Sequence, residues 1–209
     1  MNDAKRDELA MESIGEVVDE YAGFGIFDTA ESQHSISHMK AVFKQTVWAL
    51  TTQIRRGSFV PERFEFSFYE SLDMANDVTV DIKGRVDRTD TYTDEGRLFV
   101  KVLDYKSGNT VFDLVKLYYG TQLQLAVYMD AVMEQKKEAL KQVSVEPGGM
   151  LYYHIDDPVI DLKDVNPGTE LSEEEINQMI LKKLKPDGLI NSMKKHTGAW
   201  TGTLRKALT

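Results

Sequence analysis

An aspartate and a lysine stand two residues apart in "KVLDYKSGN", residues 101–109, at the end of an apolar alternating run. Strand side chains alternate between faces, so Asp104 and Lys106 share one face and Tyr105 points to the other. The Tyr105 carbonyl is then available beside the acid. A second acid, Asp87, closes the run "DVTVDIKGRVD". Between the two runs lies Thr93-Asp94-Glu95-Gly96, a composition suited to a hairpin turn, so the strands are expected to be antiparallel neighbours. A bend or bulge, for which Gly84 is a candidate, would bring the two carboxylates together.

Two carboxylates and a carbonyl are hard oxygen donors of the kind that hold Mg²⁺ or Mn²⁺, ions that usually keep several waters. A lysine beside such a centre can orient or help deprotonate an attacking water and offset charge on a phosphate in the transition state. That is the chemistry of phosphodiester hydrolysis. The plain alternative is a surface ion pair, worth about 0–1 kcal/mol, and Asp-x-Lys taken alone does not choose between them.

The elements that must position these groups follow from periodicity. Residues 1–20 read as a short acidic helix. In "SHMKAVFKQTVWALTTQIRRG", Met39, Phe43, Val47, Leu50 and Ile54 recur at helical spacing, with Ser37 as a possible cap and Arg55-Arg56-Gly57 as the finish. After Pro61 the period falls to two. "RFEFSFYESL", "DVTVDIKGRVD" and "RLFVKVLDY" read as three strands. "DLVKLYYGTQLQLAVYMDAVMEQKKEAL" is helical, with Gly120 marking a break. "GGMLYYHID" is a fourth strand after Pro147-Gly148-Gly149, and Ser172 with Glu175 forms the capping signature of a last helix. The order α-β-β-β-α-β-α predicts an α/β fold, a mixed sheet flanked by helices.

Composition narrows the function classes. Apolar residues at 42% and charged residues at 28% are ordinary for a globular domain. No apolar run is long enough to span a bilayer and the charged start lacks a signal core, so no membrane partner and a cytoplasmic address are expected. The absence of cysteine excludes disulfides, zinc–thiolate sites and iron–sulfur ligation within these residues. A net charge of −9 argues against a protein that coats nucleic acid electrostatically. The basic stretch Lys182, Lys183, Lys185, Lys194, Lys195, Arg205 and Lys206 reads as a solvated helix and tail in preference to a DNA track.

"GRVDRTD", "VLDYKSG" and "YYGTQLQLAVY", in that order and spacing, resemble the PD-(D/E)xK nucleases, in particular the RecB-like branch in its AddB-type form. "FVPERFEFSF" and "GGMLYYHIDDP" extend the resemblance, which covers roughly residues 30–190. It implies a restriction-endonuclease-like core and DNA exonuclease activity with Mg²⁺ or Mn²⁺. It further implies a parent helicase–nuclease with an A-type partner subunit, processing double-strand breaks for recombinational repair. Carried over by position, Asp87 and Asp104 are the metal-binding acids, with the Tyr105 carbonyl, and Lys106 is the catalytic lysine. Gln124 and Tyr128 match the family's Gln-x-x-x-Tyr motif, and i, i+4 spacing places them on one helix face. Glu65 is a supporting acid.

Two departures accompany the resemblance. The family's upstream metal-ligating histidine has no clear counterpart: His34 and His38, though spaced i, i+4, fit the following helix better. The four cluster-binding cysteines of the AddB-type proteins are absent. Both suggest a nuclease-core fragment of a longer protein, divided as a helical flank (1–60), the nuclease core (61–190) and a basic tail (191–209). The competing readings are an inactive PD-(D/E)xK scaffold serving as a DNA-binding or subunit-interaction module, and an unrelated mixed-sheet domain.

Overall fold

A computed structural model of the chain describes residues 2–22, 29–74, 78–160, 170–196 and 199–206, with only the backbone of residues 72, 74, 192–196 and 199–206. Two compact units emerge: residues 1–57 with 155–184, and residues 58–154 with 185–209. The first holds helices α1 (Asp3–Ala22), α2 (Ala30–Arg56) and α5 (Glu173–Lys183). The second holds strands β1 (Val60–Met74), β2 (Val78–Asp94), β3 (Arg97–Lys106), β4 (Ser144–His154), β5 (Asp187–His196) and β6 (Ala199–Lys206), with helices α3 (Leu114–Tyr118) and α4 (Gln124–Ala139).

The six strands form one sheet in the order β1-β2-β3-β4-β5-β6. Every pairing is antiparallel except β3 with β4, so the sheet is mixed as expected. A parallel pair cannot be joined by a tight turn and needs a crossover. Here α3 and α4 make it, and α4 packs on β2, β3 and β4. The core is the layer between them: Val86, Val100, Val102, Leu125, Met129, Val132 and Tyr152 are all buried in one cluster. Because Val100 and Val102 alternate with residues on the other face, the strand's period of two directly sets what α4 covers.

Several local expectations need correction. Helix α2 is capped by Thr29, whose side chain accepts from the Ser32 amide in a reciprocal capping box. Ser37 lies inside the helix, its hydroxyl donating to the Gln33 carbonyl. Met39 is exposed, and the buried positions of α2 are Ile36, Thr46 and Ala49. Ala49 packs with Leu181 and Leu184 in the core of the first unit. Pro147-Gly148-Gly149 lies within β4 instead of preceding it, and the register against β3 slips there, between Val100 and Lys101. A Cβ on Gly148 would lie 2.6 Å from the Phe59 ring, so only glycine fits. Residues 187–196 and 199–206 form two further strands where only a basic tail was expected. Gly120 does break the helix, with φ +73°. Glu95 and Gly96 both have positive φ in the β2–β3 turn, the type I′ geometry that matches strand twist.

Candidate active site

Asp104 lies near the end of β3, buried at 3% exposure, where the strand faces the start of α4. Burial holds its carboxyl above the usual carboxylate range; the Lys106 ammonium opposes the shift and the charge of Asp87 adds to it. Lys106, two residues on and on the same face, brings Nζ to 2.6 Å from Asp104 Oδ2. The same ammonium lies 5.3 Å from the centre of the Tyr152 ring, a cation–π contact contributed by the neighbouring strand.

Gln124, the first residue of α4, closes the arrangement. Its Oε1 accepts from Lys106 Nζ at 2.9 Å, while its Nε2 donates to Asp104 Oδ1 at 2.8 Å and to the Tyr128 hydroxyl at 3.0 Å. An amide is suited to this junction because it offers an acceptor to the cation and donors to the carboxylate. Tyr128 follows one turn later, as i, i+4 spacing requires. Its ring meets Phe68 edge-to-face at 5.9 Å between centroids. Gly84 makes this possible, and that is its role here. It pairs in unbroken register with Phe68 and forms no bulge; a Cβ there would lie 2.7 Å from the Phe68 ring and 3.2 Å from Tyr128.

Asp87 reaches the site by a different route from the one Gly84 suggested. The last β2–β3 pair is Arg88↔Leu103, so Asp87 stands where β2 parts from β3. Its Oδ2 accepts from the Tyr105 amide at 2.7 Å, which fixes the carboxylate against the backbone between Asp104 and Lys106. The irregularity sits on β1. Glu65 falls between the pairs Phe64↔Arg88 and Phe66↔Val86 and has φ +53°, a left-handed conformation uncommon outside glycine. The Glu65 side chain is exposed and pairs with Arg85 at 2.8 Å; it is not part of the Asp104–Lys106–Gln124 network.

Sequence reasoning missed the support beneath the site. Tyr105 points to the opposite face, as alternation demands. There its hydroxyl accepts from Arg88 Nη1 at 3.2 Å and its ring meets Tyr153 edge-to-face at 5.9 Å. Arg88 forks onto Asp90 with two hydrogen bonds of 2.6 Å, and Lys101 adds its ammonium at 2.8 Å. Asp90 is fully buried. Burial alone would raise its pKa, but Arg88 and Lys101 outweigh that and hold the carboxyl below the usual range. One signal was legible: two opposite charges at i, i+2 within an apolar strand share a face, and Lys101 is the direct cross-strand partner of Asp90.

Whether this donor set suits a divalent cation turns on Asp104 Oδ2. That oxygen is buried and accepts no directed hydrogen bond despite its ion pair with Lys106, so it retains acceptor capacity that a hard cation would use. Asp87, already oriented by the Tyr105 amide, is the second carboxylate. Among the described residues no group of three His, Cys, Asp or Glu side chains is placed to hold a metal. The fit is therefore two carboxylates and a carbonyl, with water completing the shell. His34 and His38 are exposed on α2, and His38 lies 3.9 Å from Asp157.

A mixed sheet carrying Asp, then Asp-x-Lys on the next strand and Gln-x-x-x-Tyr on the crossover helix, defines a nuclease class. The chain belongs to the PD-(D/E)XK nuclease superfamily, whose profile matches residues 2–205. It is similar to the B-type subunit of the ATP-dependent helicase/deoxyribonuclease of Alkaliphilus metalliredigens, 37% identical over 196 residues, covering 89% of this chain and 16% of that protein. The protein of the same name from Lachnoclostridium phytofermentans is 36% identical over 190 residues, covering 90% of this chain and 15% of that protein. Its counterpart in Clostridium botulinum strain Hall is 37% identical over 159 residues, covering 73% of this chain and 13% of that protein. The chain thus spans 13–16% of the length of these relatives.

Proposed function

We propose that the chain is a Mg²⁺- or Mn²⁺-dependent deoxyribonuclease domain that hydrolyses phosphodiester bonds of DNA as an exonuclease. The observation that carries this reading is the junction at Gln124, which joins Asp104, Lys106 and Tyr128 in one hydrogen-bonded unit. A surface ion pair needs no such bracing. In this reading Asp104, Asp87 and the Tyr105 carbonyl hold the cation, which when bound polarises the phosphate and activates water. Lys106 supplies positive charge where the phosphate becomes more negative, and because Gln124 fixes its ammonium in advance, little reorganisation is needed. Tyr128 steadies Gln124 from the next turn. Hydrolysis adds water across one P–O bond, and the departing oxygen takes up a proton.

The names of the relatives support a wider setting: a helicase–nuclease in the cytoplasm, where an A-type partner and a motor deliver DNA ends for recombinational repair. A domain that receives its DNA from a motor does not need a strongly basic surface, which suits a net charge of −9. Among the described residues no helix is long and apolar enough to cross a membrane. One observation favours the inactive-scaffold reading instead: the described residues supply only two carboxylates.

Cleavage of end-labelled linear single-stranded DNA with Mg²⁺ or Mn²⁺ tests the proposal. Cutting is expected from the parent chain and is lost in Lys106→Ala and in Asp104→Asn. Absence of both cutting and Asp104-dependent metal binding would transfer the case to the scaffold reading.

A further inference from the structure

The chain between Lys106 and Gln124 exposes far more apolar surface than its surroundings. Tyr118 is 84% exposed and Tyr119 73%, with Val111, Val115 and Leu123 exposed around them in sequence. Both ends of this segment are tied together, because Lys106 and Gln124 hydrogen-bond directly. Everything it carries is therefore held close to the candidate active site.

The segment is braced internally. The Phe112 amide donates to the buried Asp187 at 2.7 Å. Gln122 bridges across the loop, accepting from the Asp113 amide at 2.8 Å and donating to the Val111 carbonyl at 2.9 Å. Asp113 caps α3 through the Val115 amide at 2.8 Å. The Thr121 hydroxyl donates to the Lys116 carbonyl, and Gly120 takes the positive φ that the turn requires. Two aromatic rings are thus presented to solvent on a fixed frame, and little ordering entropy is left for a ligand to supply.

We infer that Tyr118 and Tyr119 form a base-stacking subsite that holds unpaired nucleotides of a DNA strand beside the candidate active site. This rests on the nuclease reading, which places a strand there. An overall charge of −9 leaves the chain little affinity for phosphates through counterion release, so the flat faces of bases are what it can grip. Aromatic stacking does that without sequence preference. The two rings stand edge-to-face, 5.2 Å apart at 83°, so they offer faces in different directions. Exposed Lys116 lies on the same helix and adds a local positive charge for the backbone.

The test is equilibrium binding, with EDTA present so that nothing is cut. The probes are a labelled oligothymidylate of about 12 nucleotides and an abasic strand of the same length. The chain is expected to prefer the base-bearing strand by about 5- to 100-fold per stacked base. Replacing both Tyr118→Ala and Tyr119→Ala removes the preference, while phenylalanine at both positions keeps it, because the ring matters and not the hydroxyl. Both side chains are exposed, so neither change removes core packing. Absence of a base-dependent preference in the parent chain overturns the inference. So does a preference that survives the double alanine change, and the patch then belongs to another occupant, such as a protein. A chain that stacks bases but cuts no DNA refutes the nuclease reading alone. A chain that cuts but shows no base preference refutes the subsite alone.

Discussion

Asp90→Asn offers a demanding test of how the site is supported. Asp90 is fully buried, Arg88 is 3% exposed, and Lys101 completes the cluster at 2.8 Å. The substitution keeps the size of the side chain and removes its charge. Two cations are then left facing each other in the interior, and breaking a buried pair in this way costs about 3–5 kcal/mol. For a chain of this length that corresponds to a fall in melting temperature of roughly 6–20 °C. Replacing the pair together, Arg88→Met with Asp90→Leu, should cost much less, because no unpaired charge remains. The pH dependence carries a sign. The Asp90 pKa is depressed in the folded state, while an unfolded aspartate titrates near about 3.9. Its contribution is therefore fully present well above that value and is lost as pH falls through it toward the folded pKa. Melts by circular dichroism from neutral pH to about pH 3 should show the parent and Asp90→Asn converging at the acid end. A loss below about 1 kcal/mol at neutral pH, or a difference that grows on acidification, would refute the reasoning.

Two further outcomes follow from the geometry. Gln124→Ala removes the acceptor of Lys106 and the donor to Asp104 together. Loss of one charge-assisted hydrogen bond is worth about 1.5–3 kcal/mol, so the cleavage rate should fall about 10- to 100-fold, read in a single-turnover assay; an unchanged rate would remove Gln124 from the site. Gly84→Ala puts a methyl 2.7 Å from the Phe68 ring. Overpacking of this kind costs about 1–3 kcal/mol, visible as a lower melting temperature and, through Tyr128, as slower cleavage; a neutral effect on both would show that Phe68 and Tyr128 yield freely.

Much of this protein was determined by sequence alone. Alternation through "RLFVKVLDY" placed Asp104 and Lys106 on one face and Tyr105 on the other, because the period of a strand is two whatever its neighbours are. The i, i+4 spacing of Gln124 and Tyr128 put both on one side of a helix for the same kind of local reason. Glu95-Gly96 announced a hairpin, since glycine tolerates the positive φ of its turn. The ordered motifs pointed to the family.

What the tertiary structure decided was everything that depends on which strands meet. Asp87 is oriented by the Tyr105 amide at a point where β2 leaves β3, and the local distortion falls on Glu65, a residue whose type gives no warning of it. Gly84 matters for the ring lying over it, a contact made across strands and to α4 that no local pattern encodes. Strands β5 and β6 escaped notice because a basic stretch with little apolar alternation becomes strand through pairing with an existing edge, not through its own propensity. Burial made the same distinction. Asp90 and Glu65 are both acids on strands, yet one is sealed between two cations and the other faces solvent. Side-chain type is written in the chain, whereas the dielectric and partners that set its energy come only from the fold.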